Sequence, residues 1–149
     1  MTIFYACVFC ALLTLTGCGE KAPAGAPIVV RDAWIREPPP RSPAAGYLLI
    51  ENRGSEPVEL IGAETAVAER TEIHIMEHRG DAMTMRRAAS VSVPAGEEVT
   101  LKSGGTHLML MKLRQPLKTG DEVELVLRFG DGTQQRIKAP VRKGSHADY

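Results

Sequence analysis

The sequence predicts an all-β domain, a sandwich or small Greek-key barrel. Short runs of apolar and β-branched residues recur at roughly eight-to-twelve-residue spacing, with turn signals between them. No segment carries the 3.6-residue apolar period of an amphipathic helix. The last two runs flank Gly130-Asp131-Gly132, a strong hairpin signal.

Taken in order, Ile28–Arg36 (IVVRDAWIR) is the first expected strand and carries the single tryptophan, Trp34. Glu37–Pro43 holds Pro38, Pro39, Pro40 and Pro43 and must be a loop, because proline lacks the N–H that a helix or central strand needs. Ala45–Asn52 is the second strand, stopped by Arg53-Gly54-Ser55, and Val58–Ala63 is the third. Thr71–Glu77 is the fourth. Arg79-Gly80-Asp81 turns the chain into one continuous strand, Ala82–Val93. That tripeptide spells a cell-adhesion signal, for which chance is the better explanation. Pro94–Glu97 turns into Glu98–Lys102, and Ser103-Gly104-Gly105 leads into Thr106–Leu113. After a loop over Arg114–Gly120 come Glu122–Phe129, with Val123, Leu125, Leu127 and Phe129 on one face, and Thr133–Val141. Trp34 and Tyr47 read as core packing. Glu97-Glu98 and Asp121-Glu122 read as solvated strand starts.

The chain has 149 residues, enough for one ordinary domain, and its 18 basic residues balance its 18 acidic ones. A net charge of zero excludes a nucleic-acid binder, which needs a basic field, and gives no polybasic membrane anchor. Residues 1–17 contain no charged side chain. Their apolar run, Ile3 to Leu15, is too short to cross a bilayer but suits the core of a signal peptide. It ends in Leu15-Thr16-Gly17-Cys18, which resembles a bacterial lipobox and marks Cys18 for lipidation. One departure is that no Lys or Arg precedes the apolar core. The expected layout is a lipoprotein signal peptide over 1–17, lipidated Cys18 with a flexible tether over 18–27, the β domain over 28–141 and a polar tail over 142–149. The protein is then held at the periplasmic face of a bacterial membrane by its lipid. Cys7 and Cys10 fall in the removed segment, so the domain keeps no thiol. That excludes thiol redox chemistry, a Cys nucleophile and a blue-copper centre, which needs a Cys thiolate.

The chemistry concentrates in residues 71–113. Three of the four histidines (His74, His78, His107) and five of the six methionines (Met76, Met83, Met85, Met109, Met111) lie there. In a strand, residues i and i+2 share a face. His74 then sits with Met76, Met83 with Met85, and His107 with Met109 and Met111. Imidazole and thioether on one surface make a donor set for a soft, low-valent metal, above all Cu(I). In an oxidising compartment thioethers serve where paired thiols would become disulfides. All these donors are neutral, so the ion's positive charge is expected to stay uncompensated. From the residues alone Met83 can replace Met85 if the register slips. His78 beside the turn and His146 in the tail read as solvated, with a weak second copper site at His146 the alternative.

Ten residues separate His74 from Met85, twenty-one separate Met85 from His107, and Met109 follows two positions on. With the DAWIR, AAGY, PAG and GGTHLMLM segments, this pattern resembles the periplasmic copper chaperone family PCuAC over about Asp32 to Pro140. The resemblance implies a cupredoxin-like β-barrel that binds one Cu(I) through His74, Met85, His107 and Met109. From their shared faces Met76 and Met111 read as an apolar collar, with auxiliary donation by Met76, Met83 or Met111 the alternative. The resemblance also implies a monomer that supplies the binuclear copper centre of cytochrome c oxidase, through subunit II or beside a thioredoxin-like copper-transfer protein. Copper sequestration uses the same residues, and a metal-free β-sandwich scaffold is the remaining alternative. No nucleophile elbow or Ser/His/Asp arrangement stands out, so no enzyme is expected.

Overall fold

In the computed structural model, which describes residues 27–80 and 82–144, the chain forms ten strands and no helix among those residues. They are β1 (Ile28–Arg36), β2 (Ala44–Asn52), β3 (Val58–Glu64), β4 (Ala68–Arg79), β5 (Ala82–Ala88), β6 (Val91–Val93), β7 (Glu98–Leu101), β8 (His107–Leu113), β9 (Glu122–Phe129) and β10 (Gln134–Arg142). The expected signal peptide, Cys18, nearly all of the tether, Asp81 and His146 lie outside the described residues.

The strands follow one path, β5-β4-β8-β2-β1-β10-β9-β3-β6, with β7 pairing β2 beyond β8. Its middle link is a short parallel pairing of Ile35 with Val141 and Arg36 with Arg142. The other neighbouring strands pair antiparallel. The architecture is the all-β, cupredoxin-like one expected.

The core forms because alternation gives each strand one apolar face. On β9, Val123, Leu125, Leu127 and Phe129 are all buried, as their spacing predicts. They meet Ile35, Leu48, Ile50, Leu60, Val93, Leu101, Leu108 and Leu110 in one cluster. A single buried amide ties a corner of it. Asn52, 1% exposed, donates from Nδ2 to the Glu56 carbonyl (2.8 Å) and the Val93 carbonyl (3.0 Å), and its Oδ1 accepts from Gly54 N–H (2.9 Å).

One expected element divides. Ala82–Val93 is two strands, because its ends belong to different partners: Ala88 pairs Ile73 on β4, whereas Val93 pairs Val58 on β3. A straight strand cannot bond to both, and the chain bends at Ala89 and Ser90 to change partner. The start of β4 also moves back to Ala68, which is buried and pairs Leu113.

On β8, Leu108 and Leu110 are fully buried in the core cluster. By strand alternation His107, Met109 and Met111 therefore lie on the opposite, outer face of the same strand.

Candidate metal centre

Register brings the distant histidines together. β4 runs between β8 and β5, and His74 is paired directly with His107. On the same ladders Glu72 pairs Met109 and Met76 pairs Met85. Paired residues point to one face, so these side-chain positions share the outer surface. His74 occupies its middle, with His107 opposite and Met109 and Met85 on the two diagonals.

The distances are short. The His74 and His107 ring centroids are 5.9 Å apart, and Met85 Sδ is 3.0 Å from His74 Nδ1. His74 Nε2 lies 2.8 Å from Glu72 Oε2. Arg70 donates to the other Glu72 oxygen at 2.8 Å, and this bond, followed by the one from His74, holds the Glu72 carboxyl below its usual range. An ionised carboxylate only accepts, so Nε2 carries the hydrogen. In neutral His74 the Nδ1 lone pair then faces the Met85 sulfur. What fits between two lone pairs is a proton or a soft cation.

His107 is set in the same manner. Its Nδ1–H donates to the Gly105 carbonyl at 3.0 Å, leaving Nε2 free to ligate. Gly105 is delivered by a tight turn in which Gly104 takes φ +70°, a conformation suited to glycine. His107 is 5% exposed, and burial, ahead of the neighbouring charges, pushes its pKa down. It stays neutral further into the acid range than a free histidine.

Tyr47 is buried at 6% exposed, a packing residue as expected, with Trp34 half-buried against it, and the pair also borders the site face. Their rings are 4.7 Å apart, and Tyr47 is 6.4 Å from the His107 ring. Arg36 lies 5.4 Å over the Tyr47 ring. This aromatic wall covers the His107 side. The other side is open: Met85 and Met83 are 49% and 46% exposed. Met76 and Met111 are half-buried.

Among the described residues, no three His, Cys, Asp or Glu side chains could together hold a metal ion. A site built on His74 and His107 therefore has to draw on thioethers. Its surroundings also differ from expectation, because the Glu72 carboxylate sits against His74 and would offset part of a bound cation's charge. Glu72 stands two residues before His74 on the same strand parity, and Gly105 stands two before His107 in the turn, which is the signal that could have found them.

Known proteins share this fold. A solved structure titled "Copper-bound PCuAC domain from PmoF2" is 26% identical, covers 81% of this chain and 97% of its own, and has a TM-score of 0.68. CuI-DR1885 from Deinococcus radiodurans, a solution structure, is 31% identical over 84% of each chain, with a TM-score of 0.66. A relative from Leifsonia xyli subsp. xyli, "Putative lipoprotein Lxx21020", is 34% identical over 92% of this chain and 87% of its own length. The PmoF2 domain thus carries the PCuAC label that the sequence pattern suggested, while the sequence relative carries a lipoprotein name. A family profile described as "Putative lipoprotein LpqE-like" matches residues 28–141, all ten strands but for the last residue of β10, and the chain belongs to this LpqE-like family.

Proposed function

We propose that this protein is an exported, lipid-anchored copper carrier without catalytic activity. It binds one Cu(I) through His74, Met85, His107 and Met109 and hands it to a partner's empty site. The binuclear centre of cytochrome c oxidase, reached directly or through a thioredoxin-like copper-transfer protein, is the recipient. The reading is carried by one observation: His74 and His107 are paired across β4 and β8, each with one ring nitrogen tied to an oxygen acceptor and the other free. The Met85 sulfur already stands at the free nitrogen of His74. Support also comes from the copper-bound state of the PmoF2 and DR1885 structures. The lipoprotein names of the family and of the Leifsonia relative support the lipid anchor at Cys18.

The donor set suits an exchangeable carrier, although sequestration would draw on the same residues. Two imidazoles and two thioethers are neutral and soft, matching Cu(I) without a thiolate's grip. The half-exposed Met85 gives an incoming ligand a side from which to displace a thioether. The test is Cu(I) titration of the leaderless Cys18→Ser protein under reducing conditions. One equivalent is retained, colourless in the visible, and His107→Ala or Met109→Ala loses it. A wild-type protein that retains no copper removes the reading.

A further inference from the structure

The outer row of β8 does not stop at Met109. Met111 continues it and lines a groove of about 750 Å³ between the proline-rich loop 37–43 and residues 111–118. The groove's apolar surface includes Pro38, Pro39, Pro43, Leu113 and Pro116, and its cations are Arg41, Lys112, Arg114 and Lys118. Glu37 is the one carboxylate in the lining, and it is turned onto Thr119, accepting from that residue's backbone N–H at 3.1 Å and from its hydroxyl. Lys112 pairs with Glu69 at 3.1 Å, whereas among the described residues Arg41 and Arg114 form no ion pair. With Glu37 engaged and Lys112 paired to Glu69, Arg41 and Arg114 still make a positive patch on a chain whose net charge is zero.

Backbone strain falls in the same place. Among the described residues three non-glycine residues adopt left-handed φ, and two of them, Arg41 (61°) and Lys112 (53°), line this groove. Such conformations are unfavourable for residues with a Cβ and gather where a surface has a task. The location also selects the occupant. The chain enters β1 beside Pro27, and the groove begins at Glu37 beyond the other end of that strand. At about 3.3 Å per residue the eight steps of β1 alone span roughly 26 Å. A lipid tether attached ahead of β1 would leave the groove facing away from its anchor, toward soluble domains.

We propose that this groove docks the protein that takes the copper, through an acidic segment of that partner carrying an apolar side chain between its carboxylates. The apolar side chain enters among the prolines, the carboxylates meet Arg41 and Arg114, and the partner's empty site is brought over Met109 and Met85. This rests on the carrier reading above.

The test follows Cu(I) transfer by stopped flow from the loaded Cys18→Ser protein to two acceptors, the soluble copper domain of an oxidase subunit II and a small Cu(I) chelator. Arg41→Glu/Arg114→Glu is compared with wild type, and Arg41→Gly, which suits the left-handed backbone, controls for strain. The double variant is expected to deliver to the oxidase domain at least tenfold more slowly, and the wild-type rate to fall as salt rises. Copper stoichiometry and transfer to the chelator stay unchanged. Delivery by the double variant at the wild-type rate overturns the proposal, as does wild-type transfer no faster than spontaneous release. Sedimentation with anionic phospholipid vesicles that the double variant abolishes would reassign the groove to lipid and also overturns it. Failure of wild type to load copper, read in the chelator arm, removes the carrier reading itself and the docking surface with it.

Discussion

Strands β8 and β9 bury the same kind of inner face and present opposite outer ones. Inward, β9 gives Val123, Leu125, Leu127 and Phe129, and β8 gives Leu108 and Leu110. Outward, β9 carries Glu122, Glu124 and Arg128, which pair with Lys138, Arg136 and Glu64 at the surface. β8 instead turns His107, Met109 and Met111 to the outside. A face made only for solubility looks like that of β9. The fold is carried by what the two strands share, and the function by where they differ.

The largest effects come from crossing the two faces. Phe129→Ala empties a site that is 1% exposed and should destabilise the domain by about 3–5 kcal/mol, read as a lower urea midpoint. Copper bound per folded molecule should not change. Met109→Ala should do the reverse, losing Cu(I) while moving the urea midpoint far less, because Met109 is only half-buried on the outer face. If Phe129→Ala loses copper while folded, or Met109→Ala keeps it, the division of labour between the faces is wrong.

A smaller effect tests what orients the donors. Glu72 holds His74 in the tautomer that aims Nδ1 at Met85. Removing an outer partner of a metal-binding histidine lowers affinity by roughly 10–100-fold. Glu72→Ala should fall in that range for Cu(I), with Glu72→Gln partly restoring it. Nitrogen NMR of the copper-free protein gives an independent readout. Wild-type His74 should be the Nε2–H tautomer, and Glu72→Ala a mixture. An unchanged tautomer would show that the carboxylate does not set the ring.

The difference between the two faces also explains what could be read from the sequence. β9 was legible because its polar and apolar residues alternate but for Val126, so the pattern names its inner side. β8 reads His-Leu-Met-Leu-Met, apolar on both parities, and only packing decides that the leucines go in. The face that Tyr47 covers was hidden for the same reason: Gly46, Tyr47 and Leu48 are all buried, though tyrosine and leucine cover opposite faces of β2. The bend at Ala89-Ser90 was missed because no Gly or Pro marks it, and the change of partner depends on contacts with β3 and β4 that the local sequence does not show. Glu72 was overlooked because a carboxylate near arginines is usually just solvated. Asn52 was hidden at the edge of a turn signal, where a polar residue needs no further account. The His and Met cluster stood out because methionine is rarely so confined.

A pH effect smaller again separates His107 from an ordinary surface histidine. Burial lowers its pKa in the folded state, so the unfolded chain, with a histidine titrating near 6.5, takes up a proton first. The linkage sign follows: the unfolded state binds more protons below about pH 6.5, and stability falls as the pH drops from there toward the lowered folded value. Above that window the group contributes no slope. One proton limits the slope to about 1.4 kcal/mol per pH unit. Urea midpoints of the copper-free protein at pH 7.5, 6 and 5 should show the decline, and His107→Gln should flatten it. Protons compete with copper for the same imidazole, so Cu(I) affinity should fall over a similar range.

The smallest effect is expected on the outer face of β9. Arg136 and Glu124 form an ion pair with side chains 69% and 52% exposed. At that exposure, solvent screening and side-chain entropy nearly cancel the attraction, and such pairs contribute less than about 1 kcal/mol. Glu124→Ala, Arg136→Ala and the double variant should all unfold near the wild-type urea midpoint, with a coupling close to zero from the double-mutant cycle. The matching change on β8, Met111→Ala, should also leave stability nearly unaltered. It should slow copper delivery to a protein acceptor, because Met111 lines the groove beside the copper face. Equal silence of both outer faces in stability, with only one of them silent in delivery, is the pattern expected if the outer side of β8 is kept for a partner and that of β9 for water.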